Sequence, residues 1–292
     1  RPRGVRWYQT ARGVSRLTST RMAMWIQTTL LDSSVAGADL NPPAGTAMLL
    51  FKLLVLAHLL ADFPLQSARV YRLKTANLAG QLPHACIALA AMALVCYPLA
   101  GDWSFWAFAT AAAGLHLMID AVKVDLGEQG AWGGSLWAFL LDQALHVATL
   151  AAVFLTPLPT ATGLKRSVPA RLDADGWITM AILFLVATFA GAYLLSAARR
   201  TFFEAKAAGK APGAFEKYYG IAERGAIFLA VAAGGWWAPV LAPLVLLARV
   251  PSANRAAKRF RPEPFLMSPR SAAGNLLLSA ALAAAGVLAA RA

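Results

Sequence analysis

Residues 56–66 read L-A-H-L-L-A-D-F-P-L-Q, an apolar run interrupted by His58 and Asp62. Four residues apart, these two side chains share one face if the run is helical. The same separation recurs at His116 and Asp120 in H-L-M-I-D and at Asp142 and His146 in D-Q-A-L-H. His84 is the remaining histidine, so all four histidines of the chain lie between residues 58 and 146.

The composition around this stretch decides the fold class. With 59% hydrophobic and only 14% charged residues, the 292-residue chain lies outside the range of soluble globular domains. Apolar segments of spanning length occur at about 47–63, 79–100, 103–122, 134–157, 176–197, 225–249 and 271–290. The expectation is an all-α, polytopic transmembrane bundle of about six to seven spans, whose four-helix N-terminal group holds the His/Asp cluster. Lys and Arg outnumber Asp and Glu 27 to 14, yet the basic residues sit in short linkers between apolar runs. That is the pattern of positive-inside topology and not of a nucleic-acid partner. Cys86 and Cys96 lie about 15 Å apart along one expected helix, too far to bridge.

Residues 1–47 are arginine-rich, lack a spanning run and precede Met48. They read as a disordered extension or as sequence upstream of the native start. The expected organisation continues with a four-span group at 48–157, a Pro-containing linker at 158–175 and a C-terminal membrane region at 176–292. Within that last region the charged segment 199–224 reads as an amphipathic helix on the cytoplasmic surface. Arg69, Arg72 and Lys74 mark the first connection as cytoplasmic, and Arg199, Arg200, Lys206 and Lys210 mark a later one. The sixth segment breaks the alternation, because Arg249, Arg255, Lys258, Arg259 and Arg261 follow it. Its centre, A-A-G-G-W-W-A-P at 232–239, is a helix breaker, which leaves a single span and a re-entrant hairpin both open. Trp103, Trp106, Trp132, Trp137, Trp236 and Trp237 fall near expected span ends, as interfacial anchors do.

Alternation of the first four spans carries His58, Asp62, His84, His116, Asp120, Asp142 and His146 to one leaflet, although the topology uses only Lys and Arg. An unpaired Asp in hydrocarbon costs about 2.5–3.5 kcal/mol on insertion scales, so three require partners. Histidine or a bound cation are the expected ones, and Asp beside His is the arrangement that orients a metal-ligating imidazole. One such pair alone reads as a buried hydrogen bond; three pairs and a fourth histidine at one depth read as a site.

The motifs A-H-L-L-A-D-F-P-L-Q at 57–66, His84, H-L-M-I-D-A-V-K at 116–123 and L-L-D-Q-A-L-H at 140–146 resemble an uncharacterised bacterial family of polytopic inner-membrane proteins, known as a domain of unknown function. G-I-A-E-R-G-A-I-F at 220–228 and N-L-L-L-S at 275–279 extend the resemblance, which covers about 48–290. It implies location in the bacterial inner membrane and supplies no activity. The sixth segment, rich in Trp, Gly and Pro, departs from it.

Three functions fit such a cluster. The favoured one is a metal-dependent hydrolase in which the four histidines and the aspartates hold one or two divalent cations such as Zn²⁺. Asp62, Asp120 or Asp142 then serves as general base toward a lipid-like substrate at the cytoplasmic leaflet. A proton or metal transporter would place polar groups in a ladder across the bilayer, and a scaffold would use the cluster for folding alone. The lipid bilayer is the expected partner, and the sequence leaves the oligomeric state open.

Overall fold

Proline and short polar side chains punctuate the helices. The computed structural model describes residues 44–128, 135–158, 174–202, 214–247 and 269–289 of the 292-residue chain. The expectations for the N-terminal extension up to residue 43 and for the linker at 159–173 lie outside these residues. Among them every regular element is helical.

Helix α1, Ala44–Asp62, is 19 residues long, about 28 Å at the helical rise. It stops before Pro64, whose missing N–H cannot continue the ladder. The Leu65 N–H donates to the Leu60 carbonyl at 3.0 Å instead. A short helix follows, α2 (Ala68–Lys74), started by Ser67, whose hydroxyl accepts from the Val70 N–H at 3.3 Å. Thr75 closes it by donating its hydroxyl to the carbonyls of Tyr71 and Arg72. Helix α3, Leu78–Val95, begins at Asn77, which accepts the Gly80 N–H at 2.7 Å, in the manner of an N-cap.

Gly80 meets the Leu73 carbonyl so closely that a Cβ there would collide with backbone. This contact seats α2 on the first turn of α3 and fixes where Lys74 points. Gly80→Ala is expected to cost about 1–3 kcal/mol, the usual range for overpacking. The measurement is thermal denaturation in detergent, and an unchanged melting temperature would show that α2 does not depend on this seat.

Helix α4, Trp103–Glu128, starts where Asp102 accepts the Ser104 N–H at 2.9 Å. Helix α5, Leu136–Ala151, is capped by Ser135 and runs into a 3₁₀ turn at Ala152–Leu155. Beyond it, α6 (Ala174–Leu185) passes through a π-helical turn at Val186–Ala190 into α7 (Gly191–Phe202), making one long element. The C-terminal helices are α8 (Ala214–Gly234), α9 (Ala238–Leu247) and α10 (Pro269–Ala289).

Five of these elements are long and apolar enough to cross a membrane: Leu78–Val95, Trp103–Leu126, Leu136–Leu155, Gly176–Phe202 and Arg270–Ala289. At most a third of each is buried inside the protein, so most of their apolar side chains face outward. Leu155 is 90% exposed and Leu94 75%. Water would not tolerate so much apolar surface on helices of this length, and a hydrocarbon phase does. The chain is a membrane protein. Trp103, Trp137 and Trp237 are exposed close to helix ends.

The apolar segment 225–249 is split between α8 and α9. Gly235 takes φ +50° between them, a left-handed conformation that glycine adopts at little cost. The two helices then pack against each other, and a Cβ on Gly234 would approach Leu241 to 3.1 Å. At 10 residues, about 15 Å, α9 is too short to span. The charged 199–224 segment is likewise divided, its first residues ending α7 and its last forming the start of α8.

Helix α1 is the pivot of the packing. On one side it meets α3 and α5, and on the other α6. Leu50, Leu54, Ala57, Ala88, Met92, Phe105, Ala109, Leu150 and Val153 form the main apolar core between α1, α3, α4 and α5. A second core joins Leu59 of α1 and Phe63 just beyond it to Leu185 and Ala190, and a third joins Ala187, Phe228 and Ala283.

Candidate metal centre

The i, i+4 pairs turn inward because the opposite faces of their helices are apolar and outward-facing, as Leu115, Met118, Leu141 and Leu145 show. His58 and Asp62 close the last turn of α1, His84 lies in the second turn of α3, His116 and Asp120 lie in α4, and Asp142 and His146 lie in α5. All seven side chains are buried and meet between α1, α3, α4 and α5, at the end of α1 and the start of α3 and midway along α4 and α5, so the residues singled out by spacing form a single cluster.

Its geometry centres on the Nε2 atoms. His116 Nε2 lies 3.0 Å from His84 Nε2, 3.2 Å from Asp62 Oδ1 and 3.3 Å from Asp120 Oδ2. His84 Nε2 is 3.2 Å from Asp62 Oδ1 and 3.5 Å from Asp120 Oδ2. His58 Nε2 stands 3.8 Å from Asp62 Oδ2, and His146 Nε2 4.0 Å from Asp120 Oδ1. The His146 Nδ1 lies 2.7 Å from the Asp142 backbone carbonyl. A carbonyl only accepts, so Nδ1 carries a proton, and in the neutral ring Nε2 is then a lone pair aimed at the cluster.

Several of these atoms lack a hydrogen-bond partner: His58 Nε2, His146 Nε2, Asp120 Oδ1 and Asp142 Oδ1. Buried polar atoms rarely stay unsatisfied. Of their residues, His58 and His146 border a cavity of about 20 Å³, lined also by His116 and Thr149 on its polar side and by Ala88, Met92, Ala112 and Leu150 on its apolar side. That volume holds about one small particle such as a water molecule. Four donors held about 2.0–2.1 Å from one tetrahedral ion lie roughly 3.3 Å from each other, and the separations of 3.0–4.0 Å found here bracket that value.

Among the described residues three groups have the spacing of metal ligands: His58, Asp62 and His116; His84, His116 and Asp120; Asp120, Asp142 and His146. The donors are imidazole nitrogen and carboxylate oxygen, a set that suits Zn²⁺, Mn²⁺ or Fe²⁺. Neither cysteine takes part, since Cys86 is exposed and Cys96 lies in the apolar core.

The structure corrects the expected partners of the aspartates. Lys74, at the end of α2, is buried with its Nζ 2.6 Å from Asp120 Oδ2. Lys123 of α4 places its Nζ 2.6 Å from Asp142 Oδ2, and Gln143 donates to the same oxygen at 3.0 Å. Two of the three carboxylates thus pair with lysine, and only Asp62 depends on imidazoles and a long 3.5 Å contact from Gln143. Sequence reasoning missed Lys123 because α4 continues to Glu128, past the apolar window that ended near residue 122. It used Lys74 only as a topology marker, although Ser67, Thr75 and Gly80 around it carried the signal of a seated helix.

No curated protein and no solved structure matches the chain. Of the resemblance read over about 48–290, a family model covers the half that contains the cluster. Residues 49–171, which include all seven of these side chains, match the family described as Protein of unknown function (DUF3307).

Proposed function

We propose that the protein is a membrane-embedded metal-dependent hydrolase acting on a lipid-like amphiphile, with one divalent ion held by His58, Asp62 and His116. The observation that carries this reading is the set of inward-facing Nε2 atoms around Asp62, bordering a water-sized cavity. Two imidazoles and one carboxylate leave a coordination position open, as in catalytic zinc sites and unlike closed structural ones.

Charge supports the same conclusion. Asp62, Asp120 and Asp142 bring three negative charges, Lys74 and Lys123 return two positive ones, and neutral imidazoles leave the cluster at minus one. A divalent ion held there would lower the pKa of a neighbouring water, and its two charges would offset that deficit. Asp62, itself one of the three ligands, would keep its second carboxylate oxygen as a proton acceptor beside that water, and His84 at 3.2 Å would orient the carboxylate. Asp120 and Asp142, engaged by lysine, shape the field of the site.

The cluster lies beside the connection from α1 through α2 to α3, the side from which a substrate headgroup at an interface would reach it. Linker charges support the reading that this connection faces the cytoplasm from a bacterial inner membrane. Beyond the cavity the described core is apolar, with Leu50, Leu54, Phe105 and Val153, which disfavours a polar path across the bilayer.

Elemental analysis of protein purified in detergent without chelators is expected to find one transition-metal ion per chain. The loaded protein, incubated with an extract of membrane lipids, should then consume a lipid species that the chelated protein leaves intact. Absence of metal, together with no rise of melting temperature on adding Zn²⁺ or Mn²⁺, would replace this reading by a single shared proton on the histidines. Metal without lipid turnover would leave a cation site and remove the hydrolase.

A further inference from the structure

The ligand-spaced group Asp120, Asp142 and His146 shares no residue with His58, Asp62 and His116. Two such sets side by side are the layout of a two-metal centre. Here, however, both carboxylates of the second set hold a lysine ammonium at 2.6 Å. We propose that Lys74 and Lys123 together stand in for a second metal ion, so that the cluster takes one exchangeable cation where its aspartates and histidines have donors for two.

The charges match, since two ammonium groups carry what one divalent ion would. Their positions match as well. Lys74 comes from α2 and Lys123 from α4, and each meets one of the two carboxylates that a second ion would share. The construction that delivers Lys74 is specific: Ser67 starts the helix, Thr75 ends it and Gly80 lets it sit on α3. A lysine serving only to mark topology would point to water; this one is 7% exposed. Asp120 Oδ1, Asp142 Oδ1 and His146 Nε2 remain without hydrogen-bond partners, and these are the donors that an ion would engage once the ammonium groups were gone. With the lysines present, the second position offers positive charge beside the first, from the buried Lys74 and from Lys123, whose side chain is partly open to its surroundings. A substrate group that gains negative charge during reaction is stabilised there without a second ion.

This inference rests on the ligand sets behind the proposed hydrolase site, and its test separates the two. Metal per chain is measured for wild type and for the double variant Lys74→Met, Lys123→Met, which keeps side-chain length and removes both charges. The variant is expected to bind one ion more than wild type, and Zn²⁺ or Mn²⁺ should raise its melting temperature more than that of wild type. A difference of one ion supports the inference whatever the wild-type count, while the wild-type count alone tests the site at His58, Asp62 and His116. Equal or lower metal content in the variant overturns it. If the double variant does not accumulate, growth with added metal is expected to recover it, as the vacated position fills. Failure to recover, both for it and for the single variants Lys74→Gln and Lys123→Gln, overturns the inference too.

Discussion

His116→Ala is expected to strip the protein of its bound ion, from one per chain to near zero, with affinity falling at least 100-fold. His116 is the side chain on which the cluster converges. Its Nε2 lies within 3.3 Å of His84, Asp62 and Asp120, and its ring centroid is 4.2 Å from that of His146, 5.0 Å from that of His84 and 5.4 Å from that of His58. Removing outer groups that merely orient a ligand already costs 10–100-fold in metal affinity, so loss of a ligand sets a higher floor. Alanine would leave His58 and Asp62 as the remaining pair of the first group. The variant's melting temperature should then stop responding to added Zn²⁺ or Mn²⁺, whereas that of wild type should rise with metal and fall with chelator. A purely structural cluster behaves differently. His116→Ala would lower stability through the lost packing, and neither protein would respond to metal or chelator. Metal retained at wild-type level in the variant would remove His116 from the ligand set.

The parts of this site that were legible in the sequence are those governed by helical periodicity. An i, i+4 spacing is a statement about one helix, and the aspartates and histidines of the three pairs do come together in one buried cluster. The helix break at Gly235 was legible too, because A-A-G-G-W-W-A-P offers glycines for the turn and a proline beyond it. What could not be read were contacts made across elements by residues whose local context has another explanation. Lys74 in a linker looks like any positive-inside marker, and only the seating of α2 on α3 through Gly80 turns it toward Asp120. Lys123 lies beyond the apolar window but still within α4, where one more turn of helix brings it level with Asp142. Glu223, Arg224 and Asn275 were visible only as letters of the G-I-A-E-R-G and N-L-L-L-S motifs. Nothing in the spacing of 224 and 275 announces that they meet.

That meeting supports the largest expected loss of stability, for Arg224→Met. The π-helical turn at Val186–Ala190 disturbs the regular ladder, and Arg224 answers it from α8. Its Nε donates to the carbonyls of Ala187 at 2.9 Å and Thr188 at 3.2 Å, and its Nη2 donates to Thr188 at 2.8 Å. Through Nη1 it also donates to Asn275 Oδ1 of α10 at 3.0 Å, and Asn275 Nδ2 in turn donates to Glu223 Oε2 at 2.5 Å. Arg224, Glu223 and Asn275 are all buried, so one guanidinium ties α6, α7, α8 and α10 together. Methionine would fill much of the volume but leave these acceptors and the Glu223 charge with one partner fewer. Breaking a buried charge pair from one side costs about 3–5 kcal/mol, and unfolding in detergent should show a loss of that size, with metal content unchanged because the His/Asp cluster lies in other helices. Lysine at this position keeps the charge but cannot spread donors over three acceptors at fixed angles, so Arg224→Lys is expected to recover little. Adding Glu223→Gln to Arg224→Met should return part of the loss, since the buried charge that Arg224 attracts is then gone. Stability of Arg224→Met within about 1 kcal/mol of wild type, the scale of a single ordinary hydrogen bond, would show that the π turn holds without its clamp.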